Sequence, residues 1–279
     1  MTFVLLECHY REGRWFASAD GRLTDADGPI LERAPKLFSL PVRVFATPGQ
    51  PEPPKRILFQ HSIGLAYAGS SLTAASIYAF ASTACQSLML KDGGEAPSLQ
   101  MIAELVGRIA KHYIGEVWGR HYASSNRGKA ELFVFGYCRK TKALQAFRIT
   151  PVIETSFRVD VAELEAKPGA AYWLAPQAVK DAFIEETKKY SSVDPKDRPA
   201  MSHLLESIVL SNRYPEVGGQ VQSMLADKTG AWVLPILRSA DRDITNAKAS
   251  FLDIDVNEIG PVGDCTIGVF ADATRVRRR

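Results

Sequence analysis

Ala17-Ser18-Ala19-Asp20-Gly21-Arg22-Leu23-Thr24 is a run of small residues that breaks into a charged, glycine-containing turn. Trp15 and Phe16 precede it, so Trp15 to Ala19 reads as a strand. Upstream, Phe3 to Leu6 is a second apolar run, and Arg11-Glu12-Gly13-Arg14 supplies a turn between the two. The pattern predicts an antiparallel hairpin at the front of the chain, with Asp20 at the end of its second strand, folded back towards Thr2. Sixteen residues after Asp20, Lys36 opens a further short strand, Lys36-Leu37-Phe38-Ser39-Leu40.

These positions suit one kind of chemistry. Thr2 follows Met1, and a side chain this small permits removal of the methionine, which leaves a threonine with a free α-amine. Such an amine titrates at about 7.7–8.0 when unperturbed and lies beside the hydroxyl it must deprotonate. A lysine ammonium nearby lowers the amine pKa by like-charge repulsion, and a carboxylate holds the lysine charged and oriented. Asp20 and Lys36 are candidates for these two roles. The plainer readings stay open at this point: many chains begin Met-Thr, Asp20 fits a solvated turn, and Lys36 fits a surface charge.

Further along, Pro41, Pro48, Pro51, Pro53 and Pro54 predict an exposed loop, because proline cannot pair as a central strand. Ile57 to Phe59 and Ile63 to Ala68 read as a strand pair. Ser70 or Ser71 caps an expected helix reaching about Leu90, with an alanine-rich face. Ser98 opens a second helix, in which Met101, Ile102, Leu105, Val106 and Ile109 recur at helical spacing. After a loop at Ser124 to Lys129, Glu131 to Tyr137 and Ala143 to Ile149 predict a hairpin. A short apolar stretch, Tyr172 to Leu174, precedes helices expected from Pro176 to Tyr190 and from Pro199 to Asn212, joined by a polar loop at Ser191 to Asp197. Val217 to Gln222 and Ala231 to Leu237 predict another hairpin, and Cys265 to Phe270 a last strand. Strand runs separated by helix pairs suggest helices on the outer faces of stacked antiparallel sheets, an α+β arrangement.

The front of the chain resembles a proteasome-type β subunit of the N-terminal-nucleophile (Ntn) hydrolase family. The resemblance rests on Thr2, on the D-x-R-x-T turn formed by Asp20, Arg22 and Thr24, on Gly28-Pro29-Ile30, and on Lys36 before Leu37-Phe38. It continues in Ile63-Gly64-Leu65-Ala66-Tyr67-Ala68-Gly69-Ser70-Ser71, similar to the family's glycine-containing strand before its first long helix. Weaker likeness runs through Phe133 to Ile149 and Val217-Gly218-Gly219, so element order matches along roughly residues 2–240. Bacterial relatives of this kind include HslV-type and Anbu-type homologues.

The resemblance implies a four-layer αββα sandwich forming a single domain over 1–279, with a proline-rich insertion at about 41–56 and an extension at about 240–279. It implies Thr2 as nucleophile, Lys36 as the residue tuning its amine, and Asp20 as the holder of Lys36. Thr24 and Gly69 would pair with an extended peptide, the Gly69 amide also facing the oxyanion. No metal or organic cofactor is implied. The expected partners are a peptide or unfolded protein substrate and further copies of the chain in a ring, with room for an ATPase. Two positions depart from the family pattern. Trp173-Leu174-Ala175-Pro176 lacks the usual serine, and Tyr214 and Val217 stand where an aspartate and a serine often assist the threonine amine. A non-catalytic structural or partner-binding subunit, and a small-molecule amidase on the same fold, therefore remain alternatives to a threonine-type peptidase.

Composition agrees with a globular chain. The 279 residues are 46% hydrophobic and 23% charged, which excludes disordered and collagen-like classes. Net charge is +3, but Arg275, Arg277, Arg278 and Arg279 contribute +4, and subtracting these leaves −1, so the body has no basic bias towards nucleic acid. Cys8, Cys85, Cys138 and Cys265 form no C-x-x-C pair and read as buried thiols. The five histidines show no metal-ligand spacing. Ser124 to Ala130 lacks the glycine spacing of a phosphate loop. The first residues lack the basic start of a signal peptide, and Ile63 to Leu90 carries too many small polar residues for a membrane span. A cytoplasmic protein is the expectation.

Overall fold

In the computed structural model the described residues are 2–25, 27–46, 56–91, 94–120, 128–153, 157–190, 201–238, 248–251, 254–260 and 276–277. They form a mixed α+β fold with several sheets. Strands Val4–His9 and Arg14–Ala19 pair as the expected hairpin, with Val4 opposite Ala19. They are the centre of a five-stranded sheet, flanked by Ala171–Leu174 on one side and by the Gln222–Asp227 and Gly230–Leu234 strands on the other. A six-stranded sheet carries, in spatial order, Phe157–Leu164, Ala143–Ile153, Ala130–Cys138, Ile57–Gly69, Leu37–Ala46 and Leu88–Leu90. Smaller sheets join Leu23–Thr24 to Pro29–Leu31, and join strands between Ile236 and Arg277.

Side-chain alternation explains why Phe3 to Leu6 is continuously apolar. Val4, Leu6 and Cys8 share one buried cluster with Trp15, Ala17, Leu37, Phe133 and Phe135, which come from both large sheets. Phe3 and Leu5 face the other way, into a cluster with Val179 and Phe183 of helix α3 (Gln177–Lys188) and with Leu205 and Val209 of helix α4 (Met201–Leu210). Both faces of the strand are covered, so neither can be polar. Phe3 meets Phe183 edge-on at 5.2 Å between ring centroids. The far face of the six-stranded sheet packs Leu40, Leu65, Leu132 and Val134 against helix α1 (Ser71–Cys85) and helix α2 (Leu99–Arg120). In α1 the buried positions Ala74, Ile77, Ala81 and Cys85 recur at helical spacing. Ser70 caps its start, its Oγ accepting from Thr73 N at 3.4 Å, and Ser98 Oγ accepts from Met101 N at 3.2 Å at the start of α2.

Several local expectations are corrected. Ile57–Gly69 is one unbroken strand, because Gln60, His61 and Ser62 pair along the sheet instead of turning. Pro41 lies inside the Leu37–Ala46 strand, paired with Ser62; there the strand has a neighbour on one side only, so the missing N–H breaks no ladder bond. The other four prolines lie outside the described residues. Helix α1 stops at Cys85, and Leu88–Leu90 runs parallel to Val44–Ala46 as an edge strand. Phe157–Leu164 is a strand that sequence reading missed; its inward Phe157, Val159 and Val161 alternate with exposed Arg158 and Asp160. The late hairpin is Gln222–Asp227 with Gly230–Leu234, so Val217-Gly218-Gly219 is loop. Residues 124–127, 191–197 and 265–270, Arg275, Arg278 and Arg279 lie outside the described residues, while Val276–Arg277 pairs with Leu237–Arg238. Among the described residues, no helix is long and apolar enough to cross a membrane.

Candidate functional site

The hairpin closes with Asp20 N donating to Phe3 O at 3.1 Å, so Thr2 and Phe3 lie beside the turn that follows Ala19. The Asp20 carboxylate is fully buried and, among the described residues, accepts four hydrogen bonds. Oδ1 takes Phe3 N at 2.8 Å and Lys36 Nζ at 3.0 Å; Oδ2 takes Arg22 N and Gly218 N, each at 3.2 Å. Lys36 is equally buried, and its ammonium also donates to Arg22 O at 2.5 Å. Burial pushes the Lys36 pKa down, and Asp20 opposes the shift by attraction and by its hydrogen bond. A buried lysine with two good acceptors is held in one geometry, unlike the solvated surface charge that the sequence left open.

The turn is packed from backbone. Gly21 N donates to Gly218 O at 2.9 Å, and Ala34 N to Gly21 O at 2.8 Å. A Cβ at Gly21 would stand 2.7 Å from Gln220 O and 2.8 Å from Glu32 O, so only glycine fits. Arg22 fastens the same loop. Its Nε lies 2.9 Å from Glu32 Oε1, Nη1 donates to Pro215 O at 3.1 Å, and Nη2 to Asn212 Oδ1 at 3.3 Å.

Thr2, the residue before Phe3, lines an open cleft of about 660 Å³. Thr2, Thr24 and Gly69 all line it, together with Ser70, Ser71, Lys129 and Glu131, and with Leu174, Ala175 and Pro176 on one wall. Thr24 is delivered by the Leu23–Thr24 strand, and Gly69 ends the long Ile57–Gly69 strand. Gly69 has φ +106°, and an added Cβ there would collide with Lys129 O. The next amide, Ser70 N, already donates to Lys129 O at 2.7 Å. Glu131 is paired with Arg148 at 2.5 Å, so this end of the cleft carries a compensated charge.

Of the five residues singled out from the sequence, Thr2, Thr24 and Gly69 line the cleft, while Asp20 and Lys36 are joined to each other and Asp20 is tied to Phe3, the neighbour of Thr2. At the two positions of departure, Ala175 and Pro176 are cleft wall and Val217 is packed in the apolar cluster of Phe3 and Leu5. Sequence reading missed Gln222, Glu32 and the anchoring use of Arg22. A glutamine opening an apolar strand was the available signal for the first of these. Among the described residues, no cluster of three or more His, Cys, Asp or Glu could hold a metal ion.

Two Anbu proteins are among the solved structures whose fold this chain resembles. Anbu (ancestral beta-subunit) from Yersinia bercovieri superposes with a TM-score of 0.51 at 15% identity, covering 84% of this chain and 87% of that one. The Anbu (Gly-1) mutant from Hyphomicrobium sp. strain MC1 superposes with a TM-score of 0.51 at 13% identity, covering 84% of each chain. No protein-family model and no curated protein matches the sequence. At these identities the likeness carries the fold alone, and that fold is proteasome-related. It corrects the family expected from the sequence: the structural neighbours are proteasome-like ancestral β-subunits, not a catalytic Ntn hydrolase family.

Proposed function

We propose that this chain is a proteasome-like subunit that hydrolyses amide bonds in peptides, with Thr2 as the nucleophile once Met1 is removed. The observation that carries the reading is the buried Asp20 carboxylate, which binds Lys36 Nζ and the amide of Phe3 through the same oxygen, Phe3 being the neighbour of Thr2, which lines the cleft.

In this reading Asp20 keeps Lys36 protonated against its desolvation, and the ammonium lowers the pKa of the Thr2 amine. The amine takes the Thr2 hydroxyl proton as the oxygen attacks a substrate carbonyl. The developing oxyanion is met by Gly69 N–H, since Ser70 N–H is already engaged. Collapse passes the proton to the leaving amine and leaves an ester on Thr2. Water, deprotonated by the same amine, then frees the acid. Thr24 and Gly69 hold the substrate main chain in extended form. The chemistry asks for no metal or organic cofactor.

The three apolar clusters support a four-layer αββα sandwich, with α1 and α2 over one sheet and α3 and α4 over the other. We read the chain as one domain with an extension from about residue 240. It works as a homo-oligomeric ring in the cytoplasm, and the reading leaves an ATPase partner open.

Fluorogenic peptides test the activity. The wild type should cleave them, and Thr2→Ala should lose on the order of 10³-fold or more in rate. A second reading, a non-catalytic subunit, is favoured by Ala175, Pro176 and Val217 standing where polar helpers of the amine would be. Wild type and Thr2→Ala equally inert on peptides and small amides would establish that second reading. Turnover of small amides alone would point to an amidase.

A further inference from the structure

We propose that Gln222 is a positioning residue that sets the spacing of the buried Asp20–Lys36 pair, and through it the basicity of the Thr2 amine; this rests on the reading of the cleft given above. Gln222 is only 4% exposed. Its side chain reaches two separate segments, the Asp20 turn and the stretch from Ala34 to Lys36. Nε2 donates to Ala34 O at 2.6 Å and to Asp20 O at 3.2 Å, while Oε1 accepts from Lys36 N at 2.9 Å. The residue is placed by the register of its strand, where it stands opposite Ala19, one position before Asp20.

The consequence is geometric. Asp20 follows the last residue of one strand of the five-stranded sheet, and Lys36 precedes the first residue of a strand in the six-stranded sheet. Their backbones share no sheet ladder, yet their side chains must meet at 3.0 Å. One carboxamide holds the main chain of both. No other uncharged side chain of this length offers two donors and an acceptor in one plane. Leucine or methionine at 222 would orphan Lys36 N, Ala34 O and Asp20 O, and buried backbone groups of this kind are rarely left unpaired. Glutamate would keep the acceptor for Lys36 N but turn its second oxygen towards two carbonyls. The Arg22 clamp cannot substitute, because it ties the turn to Glu32, Pro215 and Asn212 and makes no contact with the Lys36 backbone.

The test is the pH titration of the Thr2 amine in intact protein, followed by the rate of its acylation with an amine-directed reagent and mapped by peptide mass. The wild type should titrate below the ordinary 7.7–8.0 range. Gln222→Met should move that midpoint up by about 0.5–1 unit as the ammonium drifts away. Gln222→Asn, which keeps the carboxamide and adds no charge but is one methylene too short to span Asp20 and Lys36, should also move it up and keeps the test readable should Gln222→Met not fold. A variant that is folded but less heat-stable, with an unchanged midpoint, would overturn the positioning role and leave Gln222 a purely structural residue. A wild type with no free Thr2 amine, or one titrating at the ordinary value, would instead overturn the reading of the cleft itself.

Discussion

Lys36 Nζ lies 3.0 Å from Asp20 Oδ1 with neither side chain exposed to solvent. The same carboxylate oxygen binds the Phe3 amide, so one buried charge fixes both a lysine and the start of the first strand. A buried ion pair adds little over an apolar pair of equal volume, but breaking one side of it leaves a charge without a partner. Asp20→Asn or Lys36→Met should each cost about 3–5 kcal/mol in urea unfolding. The double variant should cost less than the two single losses combined, with a coupling of about 0.5–3 kcal/mol. Additive losses would mean that the pair is not a unit.

The fold was legible in the sequence wherever an apolar run meets a turn or a helix carries a cap. The front hairpin follows from two apolar runs around a charged turn, and α1 from Ser70 and α2 from Ser98 from serine caps and, in α2, helical spacing. Elements at sheet edges were harder. Leu88–Leu90 looks helical because it follows an alanine-rich helix without a glycine or proline between, and only the parallel pairing with Val44–Ala46 makes it a strand. Pro41 was misread because a proline's tolerance depends on which side of its strand is open, a property of the sheet and not of the residue. For the candidate site, the sequence could name Asp20, Lys36, Thr24 and Gly69, since each sits in a short distinctive run. Gln222 showed only as a polar residue opening an apolar strand; its partners are backbone atoms about 190 residues away in the chain, and backbone leaves no trace in residue identity.

Gly69 lines the cleft with φ +106°, and a Cβ added there would run into Lys129 O. Gly69→Ala forces both a strained backbone and a steric collision. It should lower stability by about 1–3 kcal/mol and shift the Lys129 segment, seen as lost amide-exchange protection at Ser70, whose N–H bonds to Lys129 O. Unchanged protection at Ser70 would mean that the strand end absorbs the new methyl without moving.

Cys85 is wholly buried in α1, and burial pushes its thiol up from 9.0 to about 11. The folded state therefore holds the proton more tightly than the unfolded chain. The resulting stability is fully present below the unfolded pKa and is lost as pH rises through the folded one. Between pH 9 and pH 11 the wild type should lose about 2 kcal/mol relative to Cys85→Ala, beyond any constant offset from the truncation. Parallel stability curves for the two proteins across that range would show that the thiol does not titrate as burial requires.

The central claim is that Thr2, freed of Met1, reacts from the floor-anchored end of the cleft. Intact-mass measurement of the purified protein, before and after exposure to a threonine-directed β-lactone, tests it most directly. The account predicts a starting species lacking Met1, a single added acyl group mapping to Thr2, and no addition to Thr2→Ala or to Lys36→Met at neutral pH. A protein that retains Met1, or one that is acylated equally well without the Thr2 hydroxyl, would contradict it.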